Sequence, residues 1–154
     1  MPKDITFLGR GWSFPPTFYN YGGIGIGMVE NEVDIQQSLE VLLSTGVGER
    51  IMLPEYGCDL QTYLFESISN SKMHLISEII RTAIIDYEPR IILNEILIDQ
   101  SDYQDGIIRV KIDYSIESTN TRFNLVFPYY KVEGTHLPQL YHQQIEQNSI
   151  ANSE

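Results

Sequence analysis

The chain has 154 residues, 42% hydrophobic and 20% charged, which is the make-up of a single globular domain able to bury a core without metals or disulfides. Ten Lys plus Arg against 21 Asp plus Glu leave a net charge of -11, which repels phosphate backbones and anionic membrane surfaces and argues against nucleic acid as a direct partner. The one cysteine, Cys58, cannot close an intrachain disulfide. Residues 1–10 lack a signal-peptide pattern, and no run approaches the roughly twenty apolar residues of a membrane-spanning helix, so folding in a reducing cytoplasm without membrane insertion is expected.

Residues 1–30 are expected to form an extended N-terminal arm. From 7 to 29 the chain is rich in aromatics, glycine and proline and shows neither a helical period nor sustained alternation. Trp12, Phe14, Phe18 and Tyr19 would be costly to leave in water, so they should pack against this domain or a neighbour. Gly22, Gly23, Gly25 and Gly27 lack the preceding strand, the Lys-Ser/Thr ending and the acidic ribose partner of a nucleotide loop, and fit a flexible arm better.

A helix is predicted from Asn31, taken as N-cap with Asp34 three residues on, to about Ser44, with Ile35, Leu39, Leu42 and Leu43 on one face. Gly46 and Gly48 stop it. After an irregular stretch with Pro54, Asp59 can cap a short turn bearing Leu60, Leu64 and Phe65. Met73, Ile76, Ile79, Ile80, Ala83, Ile84 and Tyr87 then recur at three- and four-residue steps, the clearest amphipathic helix in the chain. Pro89 ends it, having no amide hydrogen to donate and disfavouring helical geometry in the residue before it.

Beyond Pro89 the period changes to two. Ile108, Val110, Ile112, Tyr114 and Ile116 alternate with Arg109, Lys111, Asp113 and Ser115. Phe123, Leu125 and Phe127 repeat the pattern until Pro128, and residues 91–98 form an earlier strand apolar on much of both faces. Short polar turns at 102–106 and 118–121 favour antiparallel neighbours. The predicted fold is α+β: two main helices and a short linking helix on a three-stranded antiparallel sheet, as a domain over 31–131 followed by a flexible tail over 132–154.

No cluster supports catalysis, a cofactor or a metal. His74, His136 and His142 have no partner at ligand spacing. Cys58 has no histidine to activate it and reads as a packed thiol. Acidic pairs are numerous and arbitrary, so none identifies a glycosidase. Glu88, Pro89 and Arg90 stand where the strongest helix meets the first strand. There the proline stops the helix, the arginine faces the negative end of its dipole and the glutamate can pair with it, an arrangement that needs no partner to explain it. The alternative is a rigid charged pair that docks on a partner, exposed enough for charge reversal to spare the fold.

The run Thr45-Gly46-Val47-Gly48-Glu49-Arg50, then Leu53-Pro54-Glu55-Tyr56-Gly57-Cys58-Asp59-Leu60, then Tyr87-Glu88-Pro89-Arg90-Ile91 resembles the GPW-type, lysozyme-like baseplate wedge proteins of contractile phage tails. The type VI secretion protein TssE and contractile injection particles have similar members. The resemblance covers about residues 36–127, and the opening Phe7-Leu8-Gly9-Arg10-Gly11-Trp12 adds a weaker match. Cys58 after Gly57 and the aperiodic tail depart from the family pattern. The resemblance implies a non-enzymatic baseplate component that joins the wedge core bundle to the first sheath ring and templates sheath assembly. It implies six copies around the tube, with other wedge subunits and the first-ring sheath protein as partners. By resemblance, Glu88, Pro89 and Arg90 contact the core bundle. The sheet, with Arg109, Lys111, Asp113, Arg122 and Asn124, meets the sheath by strand addition. The competing reading is a small peptidoglycan-cleaving muramidase, and phage, secretion machine and free particle all stay open as hosts.

Overall fold

The computed structural model describes residues 8–20, 22–64 and 69–130. The expected tail over 132–154, with His136 and His142, lies outside the described residues, as does Phe65. The elements run β1 (Arg10–Trp12), β2 (Phe18–Asn20), β3 (Ile24–Ile26), β4 (Met28–Glu30), α1 (Asn31–Ser44), α2 (Gln61–Leu64), α3 (Asn70–Tyr87), β5 (Ile91–Asp99), β6 (Ile107–Ile116) and β7 (Thr121–Tyr130). The fold is α+β, with α1 and α3 against one face of an antiparallel sheet of order β5-β6-β7.

The core follows from the two periods. Ile35, Leu39, Leu42 and Leu43 of α1 and Ile76, Ile80, Ala83 and Ile84 of α3 are buried, and they meet Ile108, Val110, Ile112, Tyr114 and Ile116 of β6. Leu125 and Tyr129 complete this face from β7. The Tyr129 hydroxyl donates to the Leu43 carbonyl at 2.6 Å and so ties β7 to the end of α1.

Four features depart from the sequence expectation. The arm is not simply extended: β1 pairs antiparallel with β4 and β2 with β3, which adds two small sheets to the three-stranded one. Each strand has three residues, too few for alternation to show, and Tyr19 stands opposite Gly25, where its ring fills the space a side chain would take. The glycines therefore serve a hairpin. Asn31 is not the cap of α1. Glu30 holds that position without a side-chain cap bond, Asn31 has φ 59°, and its amide donates to the Gly9 carbonyl at 3.4 Å.

In β5 the register shifts between Leu93 and Glu95. Ile91 and Leu93 face the core before this irregularity, and Ile96 and Ile98 after it, which is why the strand reads as apolar on both faces. Finally, β7 continues through Pro128 to Tyr130, because it is an edge strand and can lose an amide hydrogen more cheaply than a central one.

Candidate functional site

Proline at 89 ends α3, and Glu88 caps it with its amide donating to the Ile84 carbonyl at 2.8 Å. The chain then turns directly into β5, which places Arg90 beside both α1 and the arm. Its Nε and Nη2 donate to the two Glu88 carboxylate oxygens at 2.5 and 2.7 Å, a bidentate pair. Its Nη1 donates to Asp34 Oδ2 at 2.6 Å and to the Leu8 carbonyl at 2.8 Å. One guanidinium thus joins three segments far apart in sequence. Hydrogen bonding to Glu88 first, and then to Asp34, outweighs the cost of burial and raises the Arg90 pKa above its ordinary value, so the group stays charged.

Burial corrects the idea of a wholly exposed junction. Glu88 is 3% exposed and Arg90 28%, while Pro89 is exposed at the surface. Reversing the charge at Arg90 would strand a buried carboxylate, so such a change should destabilise the fold and not act on docking alone. Two carboxylates facing one guanidinium leave the cluster with an excess negative charge. Asp34 and Leu8 are the members that sequence reasoning missed. Asp34 looked like helix-cap support because it sits three residues after an asparagine. The available signal was Gly9 and Gly11, whose purpose shows only when the neighbouring side chains are placed.

The residues expected at the sheath-facing sheet lie on its outer face, and each charged one is paired within the chain. Arg109 pairs with Asp102, Lys111 with Asp99 at 2.9 Å, and Arg122 with Asp113 at 2.5 Å. Asn124 is exposed directly across from Asp113. Arg109, Lys111 and Asp113 stand on the central strand, so only Arg122 and Asn124 belong to an edge. Leu97 and Val126 flank Lys111 on this face, each about half exposed. The hydrogen bond from Lys111 holds the Asp99 carboxyl below its usual range, and that from Arg122 does the same for Asp113.

Elsewhere, His74 is exposed on α3, and burial pushes the Cys58 thiol up to about 12. Among the described residues no group of three or more His, Cys, Asp or Glu is placed to hold a metal ion, and no helix is long and apolar enough to cross a membrane. An open groove of about 440 Å³ beside α3 is rimmed by Glu55, Glu78 and Asp86 over Ile79, Ala83 and Tyr87.

A family model described as baseplate wedge protein gp25 matches residues 29–121, well over half of the chain. The chain belongs to this family. The gp25 match runs from β4 to the start of β7 and takes in Asp34, Glu88 and Arg90, but not Leu8, Gly9 or Gly11. Baseplate wedge protein gp25 of Enterobacteria phage T4 is 34% identical over 85 residues, or 53% of this chain and 61% of the T4 protein. The chain therefore spans less than two thirds of that relative. A crystal structure from Geobacter sulfurreducens, provisionally described as a tail lysozyme, is 36% identical with a TM-score of 0.64, covering 70% of this chain and 96% of that one. A chain of the anti-feeding prophage baseplate is 26% identical with a TM-score of 0.58, covering 84% and 91%.

Proposed function

We propose that this gp25-family chain is a structural baseplate component of a contractile injection machine, made in the bacterial cytoplasm and built into a phage tail-like particle or secretion machine. In this reading it joins the wedge core bundle to the first sheath ring and templates the sheath. The observation that carries the reading is the family match over 29–121, and the likeness to a chain of the anti-feeding prophage baseplate supports it. Glu88, Pro89 and Arg90 form the wedge contact, with Pro89 as its exposed tip. The outer face of the sheet, through Arg109, Lys111, Asp113, Arg122 and Asn124, and its β7 edge meet the sheath. Six copies surround the tube.

The test uses the exposed tip so that folding and docking are separated. Pro89→Glu leaves the buried pair in place and puts a charge at the contact, so the purified variant should unfold like wild type yet fail to enter particles seen by electron microscopy. Normal particles would remove the wedge contact at this junction.

The muramidase reading draws on the description of the Geobacter relative and on the carboxylate-rimmed groove beside α3. A general acid needs a carboxyl held above its usual range near a second carboxylate. Among the described residues, the displaced carboxyls, Asp99 and Asp113, move downward and lie on the sheet, away from the groove. Purified protein should not clear peptidoglycan. Clearing abolished by Glu55→Gln or Asp86→Asn would establish the enzyme instead.

A further inference from the structure

The three segments that Arg90 gathers include one that lies outside the family match, the start of the arm. Leu8 is 2% exposed, and its carbonyl takes one of the Arg90 bonds. Beyond it the arm backbone runs close over the Arg90–Asp34 pair. A Cβ on Gly9 would stand 3.2 Å from Arg90 Nη1, and Gly9 also has φ +92°, a conformation that L side chains rarely adopt. A Cβ on Gly11 would collide with Asp34 Oδ1. Gly11 is thus a place where a side chain would push Asp34 out of the charged pair, and at Gly9 the backbone conformation and the nearness of Arg90 both favour glycine.

The other polar ties of the arm are weaker or fewer. Arg10 and Glu30 pair at 3.0 Å with both side chains more than half exposed, which contributes little. The Phe14 amide donates to Gln37 Oε1 at 2.8 Å, and the Asn31 amide to Gly9 at the longer 3.4 Å. Among the described residues, the Arg90 cluster is the one charge-assisted connection of the arm that is largely out of water. The arm also presents Trp12, Phe18 and Ile24 at 64%, 68% and 90% exposure, large apolar groups that the chain itself leaves in water.

We propose that Arg90 is a latch for the N-terminal arm, with Asp34 and the Leu8 carbonyl as its anchors and Gly9 and Gly11 as the clearance it needs, so that arm and Glu-Pro-Arg element meet a wedge partner as one preformed surface. The second half of this rests on the docking reading above; the first does not. Asp34 is a positioning residue: it touches Arg90 and sets where the arm lies. A preformed surface binds without first ordering a loose arm, which lowers the entropic cost of association.

Hydrogen exchange on the full chain tests the latch without any partner. In Gly11→Ala and Asp34→Asn, amides of β1 to β4 should exchange at least about tenfold faster while those of α3 and β5 to β7 keep their protection, as expected for opening of one unit. Emission of Trp12, the chain's single tryptophan, should shift with them. Unchanged arm protection in both variants would overturn the latch. Equal loss of protection throughout the chain in both would overturn it too, because the arm would then be ordinary core.

Recovery of wedge subunits with each variant expressed in the native host tests the shared surface. Both latch variants should lose about tenfold in recovery, the size expected for losing a charge-assisted, preorganised contact. Full recovery by a variant whose arm exchanges freely would overturn the shared surface. Pro89→Glu should keep arm protection and lose recovery. Should it recover partners normally, the docking reading fails and the shared surface with it, and arm exchange still decides the latch separately.

Discussion

The chain uses the same chemistry twice, arginine against carboxylate, in two settings that differ in access to water. At the junction Arg90 faces Glu88, 3% exposed, and Asp34, 15% exposed; on the sheet Arg122, 68% exposed, faces Asp113 at the same separation of 2.5 Å. Distance does not distinguish them. The surrounding dielectric does, because water screens the outer pair while the inner one must satisfy charges that have already lost their hydration. The difference makes the inner pair part of the fold and leaves the outer pair contributing little to it.

Breaking the inner pair should have the largest effect. Arg90→Ala strands the buried Glu88 carboxylate and should lower stability by about 3 kcal/mol in urea titrations; a loss indistinguishable from that of an exposed pair would erase the contrast. Tyr129→Phe removes one neutral buried bond, the hydroxyl to Leu43, and should cost about 1 kcal/mol, placing it between the two ion pairs.

Alkaline titration sharpens the comparison from another side. Folding raises the Cys58 thiol from 9.0 to about 12 by burial, so as pH rises the unfolded chain loses this proton first. Stability from this group is therefore intact below pH 9 and declines as pH climbs towards 12. Replacing Cys58 with alanine should flatten part of that decline, and burial of the Tyr129 phenol, also displaced upward, should sustain the rest. The smallest effect belongs to Arg122→Gln, whose unfolding midpoint should match wild type within repeat scatter even if sheath assembly suffers.

The helices and the meander were legible because each repeats its period over enough residues to be seen. α1 begins and ends where its apolar spacing does, and β6 alternates without a fault over ten residues. Glu88, Pro89 and Arg90 were legible as a junction. Their depth was not, since burial of Glu88 depends on α1 and the arm closing over it. Asp34 was visible as a residue and misjudged in role, because a cap is local while its true partner is 56 residues away. The arm defeated periodicity altogether: three-residue strands and glycines opposite an aromatic ring carry no repeating signal.

By itself the sequence determined the order of the helices and the three meander strands, the face that α1, α3 and β6 turn to the core, and the family in which they occur, because these depend on periods and motifs read along the chain. Only the tertiary structure decided that the arm folds into paired strands and that an arginine at the end of α3 fastens it to α1. Those outcomes depend on which distant backbone comes close enough for a hydrogen bond and on how much water is excluded there, and neither quantity is written in any local stretch of residues.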